Sequence, residues 1–194
     1  MASLFDKVSK QMTAAGIAPR TGAARQWLLS NLQKMRIPGN RSNILNDANR
    51  VAPTAFIGRM YVYHYDPKLK DVLPVWDKYP LVIPMEMYSD GFLGLNLHYI
   101  HPKFRINLLD KLSETLSNDK FDEKTKFRLS YSFLKSASKI YEATPCIKRY
   151  LYNQVKSSFL QINADEWDIA ALLPAENFSG ASTSQVHADS RKKF

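Results

Sequence analysis

The sequence predicts an α+β protein, with a small antiparallel sheet, barrel-like or curled, over about residues 58–100, helices on its N-terminal and C-terminal sides, and extended termini. Three observations carry this expectation. Residues 58–102 concentrate aromatics, prolines and alternating apolar positions, with turn chemistry at Asp66-Pro67, Leu73-Pro74 and Tyr79-Pro80. Segments before and after them carry apolar residues at helical spacing. From residue 175 onward the periodicity stops, and Ser179, Gly180, Ser182, Thr183 and Ser184 read as a mobile or partner-ordered tail.

The elements follow in order. Leu4, Phe5, Val8 and Met12 recur at helical spacing, and the Gly16 to Pro19 segment interrupts them. Thr21 is placed to cap a second helix in which Ala24, Trp27, Leu28 and Leu32 share one side, before Pro38-Gly39 stops it. Residues 39–57 lack a long apolar period and read as a connector. Met60–Tyr65 reads as a strand, Asp66–Asp71 as a turn, and Tyr79–Glu86 as a second strand. Pro80 and Pro84 lack an amide donor, which sends that strand to a sheet edge or places them at its ends. Gly91 and Gly94 bracket a third element running to Tyr99.

Pro102 then opens a helix expected to bury Phe104, Leu108, Leu109, Leu112 and Leu116. A further helix is expected over 123–143, a short one from Thr144-Pro145 through Tyr152, a weak strand over Val155–Ile162, and a helical turn holding Trp167, Ile169 and Leu172 that Pro174 closes. The organisation read from this is a helical hairpin and basic connector (1–57), an α+β core (58–174) and a tail (175–194).

Composition bounds the function. A chain of 194 residues, 45% hydrophobic, suits one domain with a real core. The single Cys146 excludes an internal disulfide framework and a cysteine zinc site. No stretch approaches the roughly 18–20 apolar residues of a membrane span, and Met-Ala-Ser-Leu-Phe-Asp-Lys has no signal-peptide pattern, so a soluble protein made in a cytoplasm is expected, with no membrane partner. The net charge is +9, and residues 1–60 hold nine basic residues against only Asp6 and Asp47. Lys7, Lys10, Arg20, Arg25, Lys34, Arg36, Arg41 and Arg59 belong to this excess, and Arg191, Lys192 and Lys193 form a second cluster. Such placement suits a polyanion, where each neutralised phosphate releases counterions. It equally suits an arm lying on an acidic protein neighbour.

Catalytic chemistry is hard to find. His98 and His101 lack further ligands for a metal, and His98 reads as a packed or hydrogen-bonding residue. Asp66, Asp71, Asp77, Glu86 and Asp90 each adjoin a turn signal, where Asp side chains bond nearby amides. Cys146 has no neighbouring histidine to serve as a base, and a semi-buried structural thiol is expected. The expectation is therefore no enzyme, no cofactor and no metal site. Tyr61, Tyr63, Tyr65, Trp76 and Tyr79 beside Arg59, Lys68 and Lys70 match the mix by which single-strand-binding barrels stack bases and track phosphates. Tyr150-Leu151-Tyr152 beside Lys148 and Arg149 is a second such patch. Half-buried sheets and protein interfaces use the same residues.

As a set, Gly58-Arg59-Met60-Tyr61, Tyr65-Asp66-Pro67-Lys68, Leu73-Pro74, Tyr79-Pro80-Leu81, Gly91-Phe92-Leu93-Gly94-Leu95-Asn96-Leu97-His98-Tyr99 and Asp189-Ser190-Arg191-Lys192-Lys193 resemble a family of small basic proteins of large contractile-tailed bacteriophages, the myoviruses. The resemblance covers most of the chain. It implies a virion structural or assembly protein, or a DNA end protector, whose partners are other virion proteins and double-stranded DNA ends. It also implies a multi-copy assembly in the head, neck or tail, made in the host cytoplasm. The basic arms and the Tyr61, Tyr63 and Tyr65 strand would make the contacts. A purely protein-binding baseplate or tail subunit is the alternative, and a metal-dependent nuclease comes after it.

Overall fold

Aliphatic and aromatic residues alternate along Met60-Tyr61-Val62-Tyr63, and the structure uses both sides of that alternation. The structure is a computed structural model that describes residues 4–32, 47–116, 132 and 146–191. The strands are β1 (Val51–Ala52), β2 (Met60–Val62), β3 (Trp76–Asp77), β4 (Leu81–Tyr88), β5 (Gly91–Asn96), β6 (Ile147–Leu151), β7 (Phe159–Ile162) and β8 (Phe178–Ser179). Six form an antiparallel sheet in the order β1-β7-β2-β4-β5-β6, and β3 pairs with β8 separately. The helices are α1 (Leu4–Ala14), α2 (Gly22–Leu32), α3 (Pro102–Leu116), α4 (Trp167–Leu172) and α5 (Thr183–Arg191). The class is α+β. Among the described residues β1 and β6 are unpaired edges, so the sheet is open and not a closed barrel.

Side chains of the two sheet faces sort by chemistry. Met60, Val62, Leu81, Ile83, Leu160 and Ile162 face the helices, where they meet Phe5, Val8, Leu28, Leu109, Ile169 and Val186 in one core. This core draws on the N-terminal helices, the sheet and the last helix together. Tyr61, Tyr63, Tyr65, Val82, Phe92, Tyr150 and Phe159 form a second cluster on the opposite face, closed over by Ala52, Ala55, Tyr152 and Val155. Strand residues alternate between faces, so an aromatic set at every second position becomes one continuous layer.

Glycine in β5 follows from close packing. A Cβ at Gly91 would lie 1.9 Å from the Tyr150 carbonyl oxygen, and one at Gly94 would lie 2.3 Å from Val82 Cγ1. β4 and β5 join through the two residues Ser89 and Asp90. β4 lies inside the sheet, between β2 and β5, although Pro84 had pointed to an edge. The β2–β4 register ends at Val82, so Pro84 lies past it, and the register with β5 shifts between Pro84 and Glu86. Pro84 still uses its carbonyl, which accepts from Gly58 N at 3.0 Å.

Several other expectations are corrected. Residues 147–151 are strand β6 and not a helix, because they complete the β5 edge over five residue pairs. Cys146 therefore precedes a strand, buried, and sits at no helix N-terminus. The connector contributes β1, which pairs with β7. The C-terminal segment is not an extended tail as far as residue 191: β8 and α5 fold back, and Val186 and His187 are buried. In α3, Leu108 and Leu109 are buried as expected, but Phe104 is exposed and Arg105 is buried in its stead. Thr21 does cap α2, accepting from Ala24 N at 3.1 Å. The helix expected over 123–143, Lys34, Arg36, Arg41, Lys192 and Lys193 lie outside the described residues, as do the side chains of Leu112, Leu116 and Arg191.

Candidate nucleic-acid interface

The cations singled out from sequence divide into two kinds. Lys7 and Lys10 are exposed on α1, one turn apart and away from the buried Phe5, Val8 and Met12. Arg59 is also exposed, donating to Gln161 Oε1 at 3.1 Å and lying over the Phe56 ring. Arg25 belongs to the interior instead. Its guanidinium bridges Asp110 and Asp168, tying α2 to α3 and α4. Arg50, from the same basic third, joins Glu166, Asp47 and Asp6 in the same manner. Arg20 is half-buried and holds a left-handed backbone (φ 62°) just before the Thr21 cap.

The aromatic strand is core as well. Tyr61 and Tyr63 have no exposed surface and Tyr65 very little, so none of the three offers a ring to a base. They pack edge-to-face with Phe159, Phe92 and Tyr150 at centroid separations of 5.0–6.2 Å, and Tyr63 meets Tyr65 in the same way at 6.3 Å. Burial pushes the Tyr63 hydroxyl well above its usual range, and among the described residues it is the one buried side-chain polar atom without a hydrogen-bond partner.

An open, largely apolar groove lies next to this layer, with Trp76 as its half-buried ring. The segment 67–76 arches from the end of the aromatic strand to β3 and leaves a groove of about 370 Å³ against β6. Pro67, Leu69, Leu73, Val75 and Leu151 line it together with Tyr65, Trp76, Tyr99 and Tyr150. Lys68, Lys148 and Arg149 supply its positive charge. Lys148 Nζ lies 4.7 Å from the centre of the Tyr99 ring, and the Arg149 guanidinium lies 4.2 Å from that of Tyr88 while pairing with Asp90. Leu69, Val72 and Leu73 are exposed within five residues of one another. Scattered surface apolar residues are ordinary, but a contiguous set beside a cleft marks a contact surface.

A buried polar network holds the floor of this groove. Asp77 Oδ2 lies 2.7 Å from His98 Nδ1 and accepts from Asn96 Nδ2 at 3.3 Å, while Oδ1 accepts from the amides of Tyr79 and Asn177. Asn96 Nδ2 also donates to the Tyr150 hydroxyl at 3.1 Å. Burial alone would raise the Asp77 carboxyl, but the charge of His98 and these hydrogen bonds outweigh it, holding the group below the usual carboxylate value. The His98 carbonyl continues the network, accepting from Arg105 Nη2 at 3.2 Å and lying 3.0 Å from His187 Nε2. Arg105 also pairs with Glu176 and donates to the carbonyls of Ile100 and Ala171. Sequence reading pointed to Trp76, Lys68, Lys148 and Arg149 but kept them in separate patches. The arch of 67–76 brings them together, and no local pattern announces that contact.

Among the described residues no group of three His, Cys, Asp or Glu is placed to hold a metal ion, and no helix is long and apolar enough to cross a membrane.

The fold is an open antiparallel sheet backed by helices, with a cation-flanked, largely apolar groove beside one edge. The chain belongs to the family of the phage T4 terminal DNA protecting protein, whose model matches residues 5–191. No curated protein and no solved structure matches it.

Proposed function

We propose that this protein is a non-enzymatic component of a contractile-tailed phage particle that binds the ends of double-stranded DNA and shields them by occupancy. Membership of a DNA-end-protecting family over nearly the whole chain is the observation that carries this reading. The surface supports it physically. Lys7, Lys10, Arg59, Lys68 and Arg149 are exposed, so they can neutralise phosphates and release counterions. Arg25, Arg50 and Arg105 are spent on internal carboxylates and do not contribute.

An end binder differs from a general DNA binder in what it leaves uncovered. Affinity for linear duplex must exceed that for a closed circle of the same sequence, and it must fall steeply with salt. The test is binding to blunt-ended linear, single-stranded and circular DNA across a salt series, followed by exonuclease digestion of the linear complex. End preference together with resistance to digestion is expected. Equal affinity for linear and circular duplex, or no binding at low salt, overturns the reading. The exposed Leu69, Val72 and Leu73 favour a second reading, a subunit docked on virion proteins, which that negative result would promote.

A further inference from the structure

We infer that the groove between segment 67–76 and β6 receives the terminal nucleotide of a DNA strand, its base against Trp76 and the neighbouring leucines and its phosphate against Lys148 and Arg149. This rests on the end-binding reading and assigns that activity a site.

Size comes first. About 370 Å³ lies at the small end of ligand cavities, which run from about 300 to 1,000 Å³, a size that suits a single nucleotide. An internal nucleotide must break stacking on both sides to enter it. A strand terminus enters at the least unstacking cost.

Lining comes second. Trp76, half-buried, is the ring that offers surface in the groove, and the exposed Leu69 and Leu73 add apolar area beside it. Stacking on aromatic rings tolerates every base because each has a π-face, so such a site would hold ends without regard to sequence.

Charge decides between a nucleotide and a purely apolar guest. Lys68, Lys148 and Arg149 line the groove, and Arg149 is held in position by Asp90 and by the Tyr88 ring. The one acid in the lining, Asp77, is buried and shared among His98, Asn96 and two backbone amides, so its charge is compensated from behind. A mostly apolar cleft with a cationic lining complements an amphiphilic anion, and a nucleotide is one.

The experiment uses the full chain and linear duplexes carrying 2-aminopurine either at a strand terminus or at an internal position. A dye on the opposite end reports binding independently by anisotropy. Binding should quench the terminal probe several-fold and leave the internal one unchanged. Leu69→Asp, at a position 60% exposed and so safe for the fold, should abolish that quenching and weaken end affinity about tenfold. Lys148→Glu should do the same, with thermal melting reporting that the fold is kept. If the protein binds linear DNA but terminal and internal probes respond alike, the groove assignment fails while end binding stands. If no duplex is bound at low salt, both fail. If Leu69→Asp binds ends normally but no longer joins the particle, the groove belongs to a protein neighbour.

Discussion

His98 Nδ1 lies 2.7 Å from Asp77 Oδ2, and both side chains are 1% exposed. Asp77 sits in β3 and His98 just after β5, so the pair fastens the short β3–β8 ladder to the end of the main sheet. Removing one partner of a buried pair leaves an uncompensated group, at a cost of about 3–5 kcal/mol. Asp77→Ala should therefore lower unfolding free energy by that amount in a denaturant titration, and Asp77→Asn by less. The acid limb has a definite sign. The folded Asp77 carboxyl lies below its usual value, so its contribution is present above the unfolded-state pKa and is lost as pH falls through the folded-state value. The wild type should lose stability in that strongly acid window, and Asp77→Ala should show a flatter profile there.

Gly94 predicts a packing defect that can be repaired. Its absent Cβ would sit 2.3 Å from Val82 Cγ1, on a stiff β-branched side chain within the aromatic layer. Gly94→Ala should cost about 1–3 kcal/mol by overpacking. Combining it with Val82→Ala should recover part of that loss, a non-additivity that thermal melts of the four proteins would measure. Strict additivity would place the strain elsewhere.

The α+β class and the strands β2, β4 and β5 were legible because alternation and turn residues are local signals, whereas β1 and β6, read as connector and helix, were not. What covers each face was not. Met60-Tyr61-Val62-Tyr63 is apolar at every position, which records burial on both sides, yet tyrosines carry hydroxyls and read as easily as a wet surface. Lys148-Arg149-Tyr150 follows a proline that fits a helix start, and only the free edge of β5, distant in sequence, turns it into a strand. Arg25 and Arg50 looked like arm cations because their carboxylates, Asp168 and Glu166, lie more than a hundred residues away. The groove was half legible for the same reason. Its cations and rings are visible in sequence, and their proximity depends on long-range closure.

The last helix should be tied to pH. Burial lowers the proton affinity of His187, and Arg105 and His101 add to the effect against the pull of the His98 carbonyl and Glu176, so the folded-state pKa lies below the ordinary 6.5. An unfolded or undocked helix then binds a proton that the docked one refuses. Docking is fully present above the unfolded pKa and weakens as pH falls through it toward the folded value. Protection factors in 183–191, corrected for the intrinsic pH dependence of exchange, should fall as pH drops below about 6.5, and more so than those in β4 and β5. His187→Gln should remove most of that pH dependence. An unchanged profile would show that another group controls α5.

Arg25 and the α1 lysines should separate stability from DNA binding. Arg25 is largely buried between Asp110 and Asp168, and Arg25→Ala leaves the buried Asp168 without its cation. A loss on the order of 3 kcal/mol is expected, with little change in the salt dependence of DNA affinity measured below the melting point. Lys7→Ala and Lys10→Ala remove charges from exposed side chains, so melting should move little. If those lysines contact phosphates, each removal lowers the magnitude of the slope of log affinity against log salt by about one, and affinity falls uniformly across sequences. A reversed pattern, with Arg25→Ala changing the slope and the lysine variants silent, would move the phosphate contacts from α1 to the face of α2.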